Sequence, residues 1–111
     1  MNSGTKYKAG DVILLQMQFS DSFKVKTRPG VILFEEFGNL VVAGITSNTN
    51  MQGITLTKKD GMIKNSVIKL NYIFTTTKQL VKKKLITLKQ KKKEEIYSQL
   101  STYTKQLIFA K

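Results

Sequence analysis

The period of the hydrophobic residues changes once along this chain, and that change constrains the fold more than any other feature. Up to about residue 88, apolar residues occur in short segments, and in the second half of the segment 12–19 they alternate with polar side chains, as in a half-buried strand. Beyond that point the spacing between apolar residues becomes four, three and four, which places them on one face of a helix. The residues concerned are Ile96, Leu100, Tyr103 and Leu107.

This pattern predicts a mainly β domain with a carboxy-terminal helix, folded as a small, strongly curved antiparallel sheet or barrel. We expect one domain, with residues 1–9 as a flexible basic arm, 10–88 as the barrel and 89–109 as the helical segment. Residues 20–27 are expected to form a polar loop, and residues 71–77 a threonine-rich connection. The expected strands are 12–19, 30–34, 40–47, 54–56, 66–70 and 80–88, and the expected helix is 91–108.

The charge of the chain points to an anionic partner. The 111 residues include 19 basic and 7 acidic side chains, for a net charge of +12. Such a chain attracts RNA, DNA, a membrane surface or an acidic protein. Eighteen of the basic residues are lysine, and the single arginine is Arg28. The guanidinium fork can hold two phosphate oxygens at once, which a lysine cannot do. Arg28 is therefore the candidate residue for phosphate binding, and Pro29 favours an extended backbone for it.

Several kinds of chemistry are excluded or disfavoured by composition. The chain has no cysteine and no histidine, so thiolate zinc sites, thiol nucleophiles and histidine-pair ribonucleases are excluded. The seven carboxylates form no recognisable metal-binding cluster, so we expect neither a metal nor another cofactor. The apolar segments are shorter than the about 20 residues that span a bilayer, and residues 1–10 lack a secretory signal. The sequence predicts a soluble cytoplasmic protein that does not enter membranes.

Cleavage of RNA can proceed with the residue types that remain. The 2′-hydroxyl of RNA is a built-in nucleophile, so the protein needs to align the phosphate and stabilise the charge that develops on its oxygens. Arginine suits the second task, and a threonine hydroxyl can orient the phosphate. DNA lacks this nucleophile and would resist cleavage.

A colinear set of segments carries a family resemblance over about residues 10–105. The segments are GDVIL at 10–14, FSD at 19–21, RPGVIL at 28–33, VAGITSN at 42–48, KNSVIKL at 64–70, IFT at 73–75 and the alternating stretch 80–88. In this order the chain resembles the MazF/PemK-type toxins of type II toxin–antitoxin systems, which are growth inhibitors and mRNA interferases. It departs from them at 16–19, where QMQF replaces a proline-rich PFPF-type segment.

The resemblance implies a fold, an activity and partners. The fold is an SH3-like barrel of the MazF/CcdB toxin type, usually a homodimer. The activity is metal-independent, sequence-specific cleavage of single-stranded mRNA that leaves a 2′,3′-cyclic phosphate and a 5′-hydroxyl. Arg28 and Thr46 stand at the positions of the family's catalytic arginine and threonine. The protein partner is an antitoxin whose acidic, flexible carboxy-terminal part covers the RNA groove.

A second set of residues is predicted to bind RNA, each with a structural alternative. The set is Phe19, Lys24, Lys26, Ser47 and Asn48. Phe19 could instead pack in the core, and the lysines could simply be solvated. Arg28 could pair with Glu35 or Glu36, and Thr46 could satisfy a hydrogen bond at the end of a strand.

Two other functions remain open from the sequence. The same barrel occurs in gyrase-poisoning relatives such as CcdB, so the fold alone does not establish RNA cleavage. A catalytically degenerate homologue that binds RNA without cutting it is the third possibility.

Four aromatic residues are expected in the core or at a dimer interface: Phe34, Phe37, Tyr72 and Phe74.

Overall fold

A computed structural model describes residues 6–18 and 25–110 of the chain. Six strands in this part form one antiparallel sheet with the order β4-β5-β3-β2-β1-β6. The strands are β1 (Asp11–Gln18), β2 (Val25–Glu36), β3 (Asn39–Thr46), β4 (Ile54–Leu56), β5 (Ser66–Thr77) and β6 (Val81–Thr87). Short 3-10 turns at Lys58–Asp60 and Lys78–Leu80 precede β5 and β6, and the helices are α1 (Gln90–Thr104) and α2 (Gln106–Phe109). The predicted fold class, mainly β with a carboxy-terminal helix, is confirmed.

The sheet is buried on both faces at its centre. Neighbouring residues of a strand point to opposite faces. Val12 and Val31 belong to one apolar cluster, whereas Ile13 and Ile32 belong to another. The helix covers the first cluster through Ile96, which is buried there. The sheet is therefore a curved half-barrel with a layer of core on each side of β1–β3.

Strand β2 begins earlier than the sequence pattern indicates. In the described part of this region, one strand runs from Val25 to Glu36. It takes the place of the end of the predicted loop 20–27 and of the predicted strand 30–34. Val25 and Thr27 pair with Gln18 and Gln16 of β1. All four residues 25–28 are exposed, so no apolar period marks them. Arg28 consequently lies within a strand and not at the edge of a loop.

Strand β5 continues through the stretch that was expected to be a connection. Residues 71–77 extend β5, and residues 73–77 pair with the first half of β3, for example Thr76 with Leu40. Asn71, Tyr72 and Ile73 are all exposed, so the alternation of buried and exposed residues expected for 66–70 does not continue here. The hydrogen-bonded pairing with β3 nevertheless resumes at Ile73.

The helix uses only the first half of its apolar face for packing. Ile96 is buried and Leu100 packs against the same cluster, but Tyr103 is 45% exposed and Leu107 87% exposed. The expected helix 91–108 is interrupted at Lys105, between α1 and α2. No helix in the described part of the chain is long and apolar enough to cross a bilayer.

The aromatic residues divide between core and surface. Phe74 packs against the second cluster, as expected. Phe37 is 94% exposed at the turn between β2 and β3, so its assignment to the core is wrong. Phe34 and Tyr72 are about half exposed. For these three residues a role at an interface stays a prediction.

Residues at the end of the predicted basic arm are attached to the sheet. Tyr7 packs against the second apolar cluster. The Lys8 amide donates a hydrogen bond to the carboxylate of Asp11 (3.0 Å), which is fully buried and also accepts from the Thr87 hydroxyl (2.9 Å). Asp11 therefore joins β1, β6 and the amino-terminal segment, and it has a structural role.

Candidate functional site

One groove, with a volume of about 780 Å³, brings the two predicted catalytic residues together. Its walls come from β1, β2, β3, β5 and β6 and from the loops around residues 51 and 61–64. This volume is within the range of about 300–1,000 Å³ that is typical of ligand sites. Arg28, Thr46 and Ser47 all line it. We refer to it as the Arg28 groove.

The strand register explains why Arg28 and Thr46 line one groove. The last residue pair between β2 and β3 is Gly30 with Gly44. Arg28 lies two residues before Gly30, and Thr46 lies two residues after Gly44. If the antiparallel register continued beyond that pair, these two positions would lie opposite each other. Both residues remain fixed by other strands, because Arg28 pairs with Leu15 of β1 and Thr46 pairs with Val67 of β5.

The hydroxyl of Thr46 is oriented by the turn that follows it. Its Oγ1 accepts a hydrogen bond from the Asn48 amide (3.1 Å), and the Asn48 side-chain oxygen accepts one from the Asn50 amide (3.1 Å). A hydroxyl that accepts one hydrogen bond can still donate its own hydrogen. Thr46 does satisfy a hydrogen bond at the end of a strand, as the structural alternative expected. That bond leaves its donor available for a ligand in the Arg28 groove.

Arg28 and Glu35 do not form an ion pair in the structure. Glu35 pairs with Lys78 at 3.1 Å. Positions 28 and 35 are seven positions apart along the extended strand, which corresponds to about 23 Å. The side chain of Arg28 is exposed, and its Nη1 donates to the carbonyl oxygen of Thr27 at 3.4 Å.

The remaining predicted RNA-binding residues have different placements. Asn48 is exposed in the turn after Thr46, next to the groove. Lys26 is exposed on β2 opposite Met17 and is not among the residues that line the groove. Phe19 and Lys24 lie outside the described residues. The structure therefore brings together Arg28, Thr46 and Ser47, with Asn48 holding Thr46.

Further groove residues were not predicted from the sequence. Lys64, Lys69 and Tyr72 line it, and so do all three methionines after Met1, namely Met17, Met51 and Met62. The Lys69 Nζ donates to the carbonyl oxygen of Gln52 (2.7 Å) and so fastens the loop after β3 to β5. For Lys69 a signal existed, because it alternates with the apolar residues Ile68 and Leu70. Its side chain is therefore expected to point away from the core.

Most carboxylates of the described residues have structural partners away from the groove. Asp60 caps the 3-10 turn by accepting from the Thr57 amide (2.8 Å), and Glu95 pairs with Lys92 (3.1 Å). Asp11 and Glu35 have the partners given above. Within residues 6–18 and 25–110, no three carboxylate, imidazole or thiol groups are close enough together to hold a metal ion.

The fold and the groove define a small half-barrel protein with an arginine and a threonine where its central strands separate. Residues 8–104 match the family described as PemK-like, MazF-like toxins of type II toxin–antitoxin systems. The match covers most of the chain, and the chain belongs to this family, which confirms the resemblance found in the sequence. No curated protein sequence matches the chain.

The structure is also similar to that of an endoribonuclease in complex with its cognate antitoxin from mycobacterial species. The TM-score is 0.67, and the similarity covers 92% of this chain and 93% of that chain. The two sequences are 16% identical. At this identity the likeness concerns the fold alone.

Proposed function

We propose that this protein is a toxin that cleaves single-stranded mRNA at specific sequences by activating the 2′-hydroxyl of the RNA, without a metal ion. The observation that carries the proposal is the presence of Arg28 and Thr46 in one groove. Membership of the toxin family and the likeness in fold to an endoribonuclease support it. Because its proposed substrate is mRNA, the protein would act in the cytoplasm.

The proposed reaction is an internal transfer of the phosphodiester. The 2′-oxygen forms a bond to phosphorus while the bond from phosphorus to the 5′-oxygen breaks. The 2′-hydroxyl loses its proton and the departing 5′-oxygen gains one, so the products are a 2′,3′-cyclic phosphate and a 5′-hydroxyl. Negative charge grows on the non-bridging oxygens in the transition state. The planar guanidinium of Arg28 can donate two parallel hydrogen bonds to these oxygens.

Thr46 is assigned a second hydrogen bond to the same phosphate. Its Oγ1 is fixed by the Asn48 amide, so the O–H bond has few directions left and can point into the groove. Ser47 and Asn48, which follow it, are proposed to contact the neighbouring nucleotides. Lys64 and Lys69 add positive charge to the same groove, which favours the approach of a polyanion.

The proposal is tested by sequencing the 5′ ends of total RNA after brief induction of the protein, with Arg28→Ala induced in parallel. We expect new 5′ ends that share a short sequence and that are absent with the variant. Growth arrest with intact transcripts and a DNA-damage response would favour a gyrase-targeting toxin. Binding of RNA without any new ends would favour a degenerate homologue. Either of these two results would contradict the proposed activity.

Replacing Thr46 with valine is expected to lower the single-turnover cleavage rate by about a hundredfold, because one preorganised hydrogen-bond donor is lost while the shape is kept. Thr46→Ser keeps the hydroxyl and should stay within about threefold of the wild type on the same argument. The measurement uses excess protein over a labelled RNA, with circular dichroism as the control for folding. Equal rates for the valine and serine variants would remove Thr46 from the reaction.

We further propose that an acidic antitoxin neutralises the protein by covering the Arg28 groove. The similar structure is a complex with its cognate antitoxin, and the net charge of +12 would accelerate association with an acidic chain. The measurement is rescue of growth by proteins encoded beside the toxin. The proposal is contradicted if the rescuing protein is basic, or if it leaves RNA cleavage by the purified toxin unchanged.

The active form is proposed to be a homodimer. Leu107, Ile108 and Phe109 at the carboxy-terminal end are between 73% and 87% exposed, and a second copy of the chain would cover such a surface. Sedimentation equilibrium should give twice the chain mass of 12.6 kDa. Leu107→Lys should shift the mass towards that of the monomer. A monomer at all concentrations would contradict this part of the proposal.

A further inference from the structure

Tyr72 occupies its place because strand β5 is irregular beside the Arg28 groove. Ala43 of β3 pairs with Ile73, but the next residue, Gly44, pairs with Lys69. Residues 70–72 are therefore extra residues of β5 that face no partner in this register. Bulges of this kind bend a strand and redirect side chains, and they are frequent beside active sites. Here the bulge carries Tyr72 over β3.

Gly44 makes this position of the ring possible. A β-carbon at residue 44 would lie 2.6 Å from the Cδ2 atom of Tyr72 and 3.2 Å from its Cε2 atom, which is too close for any side chain. The Tyr72 ring also contacts Phe74, with 5.4 Å between the ring centres and 43° between the ring planes. The backbone of β3 and the ring of Phe74 thus hold Tyr72 in a fixed orientation.

A large part of the Tyr72 ring is nevertheless uncovered. Tyr72 is 49% exposed, although it is held by β3 and by Phe74, and it lines the same groove as Arg28 and Thr46. Proteins hold the splayed bases of single-stranded RNA on exposed aromatic rings, and cationic side chains in the same groove hold the RNA backbone.

We propose that Tyr72 is the surface on which one base next to the scissile phosphate stacks, and that it thereby contributes to the choice of cleavage site. This inference rests on the proposed RNA cleavage and deepens it. Stacking fixes the position of the nucleotide relative to Arg28 and Thr46, and it requires the π surface of the ring but not its hydroxyl. A purely structural Tyr72 would support Gly44 and leave base preference unchanged.

The test compares Tyr72→Leu, Tyr72→Phe and wild type on a defined RNA. The RNA carries the cleavage site found by 5′-end sequencing, and a matched series has one abasic nucleotide at each position around the cut. Leucine keeps the apolar contact with Gly44 and loses the ring, whereas phenylalanine keeps the ring. Tyr97→Ala is the matched control, because Tyr97 is 73% exposed on α1 and does not line the groove.

We expect Tyr72→Leu to lower kcat/KM on the intact RNA by about tenfold to a hundredfold, the range of base stacking on an aromatic ring. Tyr72→Phe and Tyr97→Ala should retain the wild-type value. For the wild type, one abasic position beside the cut should cause a similar loss. Tyr72→Leu should lose nothing further at that position, because the partner of the base is already missing.

Two results would overturn the inference. One is a kcat/KM for Tyr72→Leu within twofold of the wild type. The other is an undiminished effect of every abasic position in that variant, which would mean that Tyr72 acts through the fold.

If the wild type cuts no RNA, the proposed function fails separately. Affinity for a random-sequence RNA pool then decides the inference: weaker binding by Tyr72→Leu but not by Tyr97→Ala supports it, and equal affinities contradict it.

Discussion

Replacing Arg28 with lysine is expected to reduce the single-turnover rate of RNA cleavage by about a hundredfold, and replacing it with alanine by about a thousandfold. Lysine keeps the positive charge but loses the planar fork that donates two parallel hydrogen bonds to a phosphate. The chain contains eighteen lysines and a single arginine, so the use of arginine at this position is consistent with a requirement for the fork.

The experiment needs a control for charge, because every removed cation weakens the binding of RNA. Lys78→Ala serves this purpose, since Lys78 is paired with Glu35 and does not line the Arg28 groove. It should lose little activity at saturating protein. Both Arg28 variants should keep the wild-type circular dichroism spectrum, because the side chain is exposed on β2. Near-normal turnover by Arg28→Ala would remove this residue from the centre of the mechanism.

A single 2′-deoxy nucleotide at the cleavage site is expected to abolish cutting of that bond while leaving RNA binding nearly unchanged. The missing oxygen is the proposed nucleophile. In the proposed reaction, the cations and hydroxyls of the described residues that line the Arg28 groove act only as hydrogen-bond donors, so they do not replace this nucleophile. The loss should be at least about four orders of magnitude, because proximity of the internal nucleophile accounts for much of such a rate.

The control for this substitution is the same deoxy nucleotide placed one position to either side. These RNAs should be cut at close to the normal rate, because the nucleophile at the scissile bond is intact. Dissociation constants measured by fluorescence anisotropy should agree among all of them within a few fold. Continued cleavage of the bond beside the deoxy nucleotide would mean that an external nucleophile attacks the phosphorus.

The sequence predicted those parts of the fold in which one side of an element is buried. Leu15 of β1 is buried between the half-buried Leu14 and Gln16, and Ile96 and Leu100 mark the packed half of the helix. The pattern failed where strands lie on the surface. Residues 25–28 of β2 are exposed and pair through the backbone, so Arg28 was expected at a loop edge although it lies in a strand.

The candidate site was predictable to a different degree. Arg28 was singled out by composition, and Thr46 by resemblance to a family, but neither argument indicates how the two residues meet. Their presence in one groove depends on the pairing of Gly30 with Gly44. Tyr72 was expected in the core or at an interface, because nothing in the local sequence reveals the bulge of β5 that places the ring over Gly44.

The measurement that tests the proposed mechanism most directly is the chemical identity of the RNA ends that the purified protein produces in the presence of EDTA. We expect cleavage under these conditions, with a 2′,3′-cyclic phosphate on one fragment and a 5′-hydroxyl on the other, both identifiable by mass spectrometry. Products with a 3′-hydroxyl and a 5′-phosphate, or activity that disappears in EDTA and returns with magnesium, would contradict the mechanism.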